Sequence, residues 1–467
     1  MSNKIQLKEL SKLGYTDNVA RTLATMIIGK HCKHTNKNDV INILKQLLAT
    51  PEDYLNDDIW GKLARHYCPQ DESRPFTVYE LNNDTGFYKT YGGKYIETLA
   101  KQQMNLAMRL PVALQGALMP DAHAGYGLPI GGVLAVKNAV IPYAVGMDIG
   151  CRMALSVFDE KPEYINRYAF KIKEALKAYT HFGMDGGLGF KQEHEVLDSA
   201  GFKATDLLQS LHGKAVRQLG TSGSGNHFVE FGEIELYDDN VLNLPAGRYM
   251  ALLSHSGSRG LGANIARYYS DIAREVCKLP REAGHFAWLD LDSEAGQEYW
   301  QSMNLAGDYA KACHDRIHMN LAKALGLKII GSVENHHNFA WKEVLADGVE
   351  AIVHRKGATP AHKGEAGIIP GSMSTPGYLV CGNGVAESLN SASHGAGRAM
   401  SRQKAKNSFT VSYMKKQLSA AGVSLMGGSV EEASQAYKDI EKVMETQKDL
   451  ITIHGKFMPR IVRMNKE

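Results

Sequence analysis

The sequence is poor in cysteine, and its few cysteines stand far apart. Six occur among 467 residues, without a CxxC pair or a dense framework. This spacing excludes a zinc ribbon and a disulfide-stapled scaffold, and it is typical of a reducing compartment, so we expect a cytoplasmic protein. The six are Cys32, Cys68, Cys151, Cys277, Cys313 and Cys381.

The sequence also lacks a long hydrophobic run and a strong net charge. No segment approaches the roughly 18 apolar residues of a membrane span, and the first residues, MSNKIQLKELSKLGY, carry charges throughout. We therefore expect a soluble protein without a membrane partner. Lys and Arg number 53 against 50 Asp and Glu, a formal net charge of +3, so any nucleic-acid-binding surface must be local.

The hydrophobic pattern divides the chain into three stretches. In residues 1–65 apolar residues recur at helical spacing, which predicts a small helical appendage. Residues 66–95 are rich in turn-forming residues and predict a linker, which leaves 96–467 as the main body. From 118 to 158, short apolar runs alternate with Gly, Asp and Pro, which indicates buried strands joined by tight turns.

The main body mixes helical and strand patterns. This mixture predicts an α+β or mixed α/β fold, with central β-sheets flanked by helices. Helices are predicted at 163–178, 203–213, 262–278, 297–325 and 429–449. Strands are predicted near 226–232, 248–254, 328–333, 350–354 and 377–381.

The stretch SASHGAGRAMSRQKAK, 391–406, places a histidine in a Gly-rich turn ahead of a predicted basic helix that carries Arg398 and Arg402. His394 would then lie near a helix N-terminus, where the partial positive charge disfavours a protonated imidazole and attracts phosphate. A neutral histidine beside a phosphate site is a candidate nucleophile. The alternative is a histidine that caps the helix or fills a polar niche.

Two further loops carry residues that could take part in chemistry. MPDAHAGYGLPIGG, 119–132, holds Asp121 and His123 among glycines, and AVGMDIGCRMAL, 144–155, holds Asp148 and Cys151 after a strand-like run. A carboxylate and a thiol three residues apart in a tight turn can face one point, where a cation would hold the thiol as thiolate. The alternative is a buried structural cysteine beside a turn-forming aspartate.

Histidines at three predicted strand ends extend this set. His227 follows the Gly/Ser loop GTSGSG, His255 precedes the loop SGSRGLG, and His336 and His337 follow a predicted strand. One histidine from each of the three strand ends, together with Asp148 and Cys151, supplies five ligands, enough for two metal ions that share the thiolate if the chain brings them together. The glycine loops are also candidate phosphate cradles or plain turns. Weaker metal candidates are HCKH at 31–34 and the pair His314 and His318.

Taken in chain order, these segments resemble the RtcB family of RNA-splicing ligases. The matching stretches span about 118–445 and are MPDAHAGYGLPIGG, VGMDIGC, GSGNHFVE, HSGSRGLG, HHNFA, VHRKGATPA, IPGSM, HGAGRAMSR and AYKDIEKVM. The resemblance implies an RtcB-like catalytic domain at 96–467. It also implies an enzyme that joins RNA ending in a 3′-phosphate or 2′,3′-cyclic phosphate to RNA with a 5′-hydroxyl, in tRNA splicing or RNA repair, using GTP and manganese.

The resemblance also implies a role for each matching residue. His394 would attack GTP and become guanylylated, while Cys151 would bridge two manganese ions, completed by Asp148 and His227 on one side and His255 and His337 on the other. The implied nucleotide contacts are Asn226, Glu230, Asn338, Tyr437 and, near the C-terminus, Lys466. The basic residues expected at RNA phosphates are Arg259, Arg355 and Lys356.

The sequence departs from the family pattern in places, and two other functions stay open at this point. Ser393 stands where the family usually has cysteine, STPG occupies 374–377, and the chain ends in RMNKE. One alternative is a divergent member that processes RNA 3′-phosphate ends without sealing strands. The other is an RNA-end-binding protein whose metal site is structural. The sequence does not identify an activating protein partner.

Overall fold

The chain forms two compact units, Met1–Pro75 and Phe76–Glu467, in a computed structural model. The structure describes residues 5–32, 35–55, 57–68, 74–183 and 186–465. The division between the units falls inside the stretch 66–95, and the three ranges 1–65, 66–95 and 96–467 stay predictions.

The described part of the smaller unit is helical and has a core of its own. Asp17 begins the second helix by accepting a hydrogen bond from the backbone N–H of Ala20 at 2.7 Å. Leu10, Leu44 and Leu63 are fully buried in one cluster, in which Tyr15 donates to the carbonyl of Leu44. The helices are α1 (Leu7–Lys12), α2 (Asn18–His31), α3 (Lys37–Ala49) and α4 (Gly61–Tyr67).

Helices of the larger unit pack around its sheets. The longest, α11, has 32 residues; the side chain of Ser293 caps it, and Gly326 ends it in the left-handed conformation. No helix in the described ranges is long and apolar enough to cross a membrane. The helices are α5 (Thr98–Ala107), α6 (Pro142–Val145), α7 (Glu163–Arg167), α8 (Ala169–Tyr179), α9 (Asp206–Gln218), α10 (Arg259–Val276), α11 (Glu294–Leu325), α12 (Arg402–Ser408), α13 (Val411–Ala420) and α14 (Ile440–Thr446).

The strands of the larger unit are mostly antiparallel. The first ten are β1 (Thr77–Val78), β2 (Tyr88–Thr90), β3 (Ala113–His123), β4 (Ile130–Val136), β5 (Ala139–Val140), β6 (Arg152–Phe158), β7 (Phe228–Leu236), β8 (Gly247–Ser256), β9 (Cys277–Lys278) and β10 (Leu289–Asp290). The others are β11 (Ile329–His336), β12 (Asn338–Val344), β13 (Glu350–Lys356), β14 (Ala358–Pro360), β15 (Ala366–Ile369), β16 (Gly377–Gly382), β17 (Ser391–Ser393), β18 (Ser424–Met426) and β19 (Ile451–Met464).

Two large sheets organise these strands. The first has the order β11-β6-β8-β7-β19-β16-β15, with β18 added beside β19, and the second has the order β12-β13-β4-β3-β2. Every residue of β6 is buried, because neighbouring strands cover its edges and α11 packs on the sheet. The predicted fold class, sheets flanked by helices, is confirmed.

Besides the helix predicted at 163–178, which is divided into α7 and α8, two predicted helices differ from the observed elements. The basic helix after His394 begins only at Arg402, because Ser401 is its N-cap and the backbone of Arg398 pairs with that of Tyr437. The predicted helix at 429–449 contains two short 3₁₀ turns and then α14, which the Asp439 side chain caps. Local hydrogen-bonding side chains therefore interrupt both apolar patterns.

Candidate metal centre and histidine site

The candidate ligands meet at one end of the first sheet, because neighbouring strands there run in opposite directions. Arg152 at the start of β6 lies opposite His336 at the end of β11 and opposite Ser256 at the end of β8. Phe228 at the start of β7 lies opposite His255. Four positions are thus neighbours in space: the turn before β6, the residue before β7, the end of β8 and the residue after β11.

Asp148, Cys151 and His227 form one cluster of ligand atoms. The Nε2 atom of His227 lies 3.1 Å from Asp148 Oδ2 and 3.4 Å from Cys151 Sγ. The other oxygen of Asp148 accepts a hydrogen bond from the backbone N–H of Ser258 at 3.1 Å, which fixes the carboxylate. One carboxylate, one thiol and one imidazole therefore converge as the sequence predicts.

Cys151, His255 and His337 form a second cluster that shares the thiol. His255 Nε2 lies 3.2 Å from Cys151 Sγ and 3.2 Å from His337 Nε2. The Nδ1 atom of His255 donates to the carbonyl of Asn226 at 3.2 Å, so the Nε2 lone pair points into the cluster. The backbone N–H of His337 donates to the carbonyl of Cys151 at 2.9 Å. Both clusters are thus tied to the same turn.

The electrostatics of both clusters fit bound cations. Burial lowers the pKa of His255 to about 3 and that of His337 well below its usual value, so both rings are neutral, the form that ligates metals. Burial and the neighbouring Asp148 raise the pKa of the Cys151 thiol, a cost that a cation would offset by binding the thiolate. In the described part of the chain, His227 and His337 each keep a buried Nδ1 without a hydrogen-bond partner.

Two glycines of the Gly-rich loops make room for the ligands. A Cβ on Gly257 would lie 2.1 Å from Asp148 Oδ1, and a Cβ on Gly223 would lie 1.9 Å from His227 Nδ1. Any larger residue at either position would displace a ligand. These loops, interpreted from sequence as phosphate cradles or turns, thus serve in this structure to let ligand side chains approach the backbone.

His394 follows β17 and is held by Asp121. Its Nδ1 lies 2.7 Å from Asp121 Oδ2, and the backbone N–H groups of His394 and Gly395 donate to the same oxygen at 3.2 and 3.4 Å. Burial acts to raise the pKa of Asp121, but the hydrogen bond and charge of His394 lower it overall, so the carboxylate is ionised and Nδ1 donates. In the neutral ring, Nε2 then carries the free lone pair.

This arrangement corrects the prediction that His394 lies at a helix N-terminus. Helix α12 begins at Arg402, and the fully buried Asp121 orients His394 instead. The sequence singled out Asp121 beside His123 without giving it a role. The His394 ring also lies 5.0 Å, centroid to centroid, from that of His337, so the histidine adjoins the second ligand cluster.

A single cavity of about 1000 Å³ joins the two clusters and His394. The predicted residues that line it are Asp148, Cys151, Asn226, His227, Glu230, His255, His337, Asn338, His394 and Tyr437. Lys466 lies outside the described residues. Apart from that residue, the structure brings the predicted metal ligands, the predicted nucleotide contacts and His394 to one place.

The predicted nucleotide contacts lie in different environments within the cavity. Glu230 is buried on β7, and burial raises the pKa of its carboxyl well above the usual value. The Asn338 side chain accepts from the backbone N–H of Gly357 at 2.9 Å. Tyr437 donates to Glu432, and the Arg398 guanidinium lies 5.2 Å from its ring centroid. The sequence analysis did not identify Glu432, because its contact with Tyr437 is seen only in the structure.

The three basic residues predicted to contact RNA phosphates differ in whether they line the cavity. Arg355 has no exposed surface and donates to Glu343 and Ser391 at 2.6 and 2.7 Å, so its prediction as an RNA contact is wrong. Arg259 donates to Thr221 at 2.9 Å outside the cavity lining. Lys356 does line the cavity, and burial lowers its pKa to about 8.

The histidines predicted as weaker metal ligands are not part of the two clusters. His314 and His318 are buried and share the hydroxyl of Ser254, at 2.6 and 2.8 Å, in a hydrogen-bonded network that joins α11 to β8. This pair is therefore structural. In the sequence HCKH, Lys33 and His34 lie outside the described residues.

Two metal-ligand clusters beside a carboxylate-held histidine, open to one large cavity, are typical of a metal-dependent enzyme. The model of the family described as tRNA-splicing ligase RtcB matches residues 102–204 and 170–465 of the chain. The RNA-splicing ligase RtcB1 of Escherichia coli strain ATCC 25922 is 32% identical over 395 residues, covering 77% of this chain and 93% of the relative.

Two further relatives carry the same family name. The RNA-splicing ligase RtcB of Escherichia coli K12 is 30% identical over 390 residues, covering 77% of this chain and 93% of the relative. The tRNA-splicing ligase RtcB of Nanoarchaeum equitans is 30% identical over 420 residues, covering 75% and 87%. The chain belongs to the RtcB family, so the resemblance predicted from its motifs and the enzyme class, RNA ligase, are confirmed.

Proposed function

We propose that this enzyme joins RNA ending in a 3′-phosphate or 2′,3′-cyclic phosphate to RNA with a 5′-hydroxyl, through a guanylylated His394, in tRNA splicing or RNA repair in the cytoplasm. The observation that carries this proposal is the position of His394. Its ring is fixed by Asp121 at 2.7 Å, beside the second ligand cluster, in one cavity. Membership of the RtcB family supports the RNA substrate.

The two clusters would hold two divalent cations, manganese by the family resemblance. Asp148 and His227 would hold one, His255 and His337 the other, and Cys151 would touch both. When bound, the cations would neutralise phosphate charge and polarise the phosphorus that is attacked. The chain itself keeps His255 and His337 neutral by burial, which lowers the pKa of both, and fixes the Asp148 carboxylate through Ser258.

The reaction begins at His394. Its Nε2 would attack the α-phosphorus of GTP, forming an N–P bond and releasing pyrophosphate, while Asp121 retains the Nδ1 proton and offsets the positive charge on the ring. A 3′-phosphate oxygen of RNA would then take GMP from His394; an end that is a 2′,3′-cyclic phosphate would first have to be opened to the 3′-phosphate by water. The 5′-hydroxyl of the second RNA would finally attack the RNA phosphorus, forming the phosphodiester and releasing GMP and the hydroxyl proton.

Other cavity residues would bind the nucleotide. A neutral Glu230 carboxyl can both donate and accept hydrogen bonds, which suits the edge of a guanine base. Tyr437 would stack on that base, held by Glu432 and Arg398. Asn226 and Asn338 line the same cavity and would contact the phosphates.

Incubation with α-labelled GTP and manganese, followed by a denaturing gel, tests the covalent step. We expect a labelled protein band with the wild type and none with His394→Ala. His454→Ala is the matched control, since His454 lies on β19 outside the cavity lining and is not buried, and this variant should keep the label. An equal label on His394→Ala, or none on wild type with manganese bound, would contradict the proposed intermediate and favour end processing or end binding.

A further inference from the structure

An exposed tyrosine stands at the rim of the cavity without a role in the chemistry above. Tyr126 keeps 75% of its surface exposed although it lines the same cavity as His394. Its neighbours are Gly125 and Gly127, which have no side chains to cover the ring. Within the described ranges, no aromatic ring or cation stacks on it, whereas the Lys94 ammonium lies 4.8 Å from the ring centroid of nearby Tyr95. Most of the Tyr126 surface is therefore accessible to a ligand.

The loop that carries Tyr126 is held from both sides. The Glu97 carboxylate accepts from the backbone N–H of Ala124 at 2.6 Å. The Gln103 side chain accepts from the N–H of Gly125 at 3.1 Å and donates to its carbonyl at 2.5 Å. Lys356 donates to the carbonyl of Tyr126 itself. A large apolar side chain is thus presented to solvent on a fixed backbone, which lowers the entropy lost on binding.

The contact of Lys356 with this loop places the loop near His394. Lys356, which holds the Tyr126 carbonyl, is followed by Gly357, and a Cβ on Gly357 would lie 3.2 Å from His394 Cε1. Lys356 also donates to the carbonyl of Tyr143 at 3.3 Å and lines the cavity, so a cationic side chain lies at the backbone of Tyr126 within the same cavity as His394. An RNA strand whose terminal phosphate reaches His394 would pass this cation and then the ring.

We propose that Tyr126 is a stacking platform for an RNA base next to the end that enters the cavity. This inference rests on the proposed function, since it assigns the position of the RNA on that site. An exposed aromatic face beside a cation is the feature by which proteins bind single-stranded RNA without reading its sequence. The loop carrying Tyr126 would therefore hold the RNA by its base while the cavity holds its phosphate.

Binding of two short labelled RNAs, one ending in a 3′-phosphate and one beginning with a 5′-hydroxyl, tests the platform. We expect Tyr126→Ala to weaken binding of at least one RNA by about 5- to 150-fold, the usual effect of losing one stacked base. Tyr126→Phe keeps the ring and should bind within about twofold of wild type. In wild type, an abasic nucleotide at the contacted position should weaken binding, and in Tyr126→Ala it should not.

Phe170→Ala is the matched control, because Phe170 is 78% exposed on α8 and lies outside the cavity lining. It should bind both RNAs as wild type does. A change below fivefold for Tyr126→Ala on both RNAs overturns the platform, as does an equal loss with Tyr126→Phe. Because wild-type guanylylation is measured separately, failure of the platform is distinguishable from failure of the proposed ligase reaction.

Discussion

At the scale of single residues, the buried Asp121 carboxylate decides what His394 can do. One of its oxygens accepts from Nδ1 of the ring and from two backbone N–H groups, so the ring cannot turn away from the cavity without breaking a charge-assisted bond. The same oxygen would oppose the positive charge that the proposed guanylylation places on the ring. Asp121 is thus a positioning residue for the proposed nucleophile.

Replacing Asp121 by Asn should slow guanylylation of His394 by about 100-fold or more, because the shape is kept but the negative charge is lost. Single-turnover labelling with GTP measures the rate, and nucleotide binding to the same variant should stay within about threefold of wild type. A weakened nucleotide affinity with an unchanged labelling rate would contradict this positioning role.

The environment of Ser393, one residue before His394, predicts how substitutions at Ser393 and Ser391 change the free energy of unfolding. In the described structure its hydroxyl is buried without a partner, whereas the nearby Ser391 hydroxyl donates to Leu389 and accepts from Arg355. Ser393→Cys should therefore raise the free energy of unfolding by about 1 kcal/mol, while Ser391→Ala should lower it by at least about 1 kcal/mol. Urea unfolding measures both, and equal effects of the two variants would refute this explanation.

These residues also show how far the sequence predicts the site. The ligands and His394 were identifiable because each stands in a short motif of chemically distinctive residues. The pairing of Asp121 with His394 was not, because the two are 273 positions apart and nothing local signals the contact. Arg355 was misassigned for the same reason, since its buried partners Glu343 and Ser391 lie on other strands.

At the scale of elements, the site depends on where strands end. β6, β7, β8 and β11 are antiparallel neighbours, so a turn, a loop and two strand ends meet without any long excursion of the chain. The predicted strands largely coincide with observed ones because their apolar runs are short and bounded by turns. The predicted helix near His394 failed because Ser401 caps the helix later and Arg398 pairs with Tyr437.

The loop between β8 and α10 yields a prediction about metal binding. Gly257→Ala would place a methyl group 2.1 Å from Asp148 Oδ1 and so displace a ligand. We expect the affinity of the metal-free protein for manganese to fall by roughly 10- to 100-fold. Gly284→Ala is the control, since a Cβ there meets nothing within 4 Å. Titration calorimetry compares them, and equal manganese affinities would contradict a site at Asp148.

At the scale of the whole molecule, the candidate chemistry lies within one unit. The described site residues all belong to Phe76–Glu467, while the helical unit Met1–Pro75 buries a core of its own. The sequence predicted a helical N-terminal stretch because its apolar residues recur at helical spacing. It could not predict the two-sheet topology, since strand order depends on contacts between distant segments.

The most direct test of the account is the sealing of two RNAs by the full chain. One RNA carries a 3′-phosphate and the other a 5′-hydroxyl, with GTP and manganese supplied. The account predicts a joined product that depends on GTP with the wild type, and no product with His394→Ala. Joining by His394→Ala, or an inactive wild type that has bound manganese, would contradict a ligase that acts through His394.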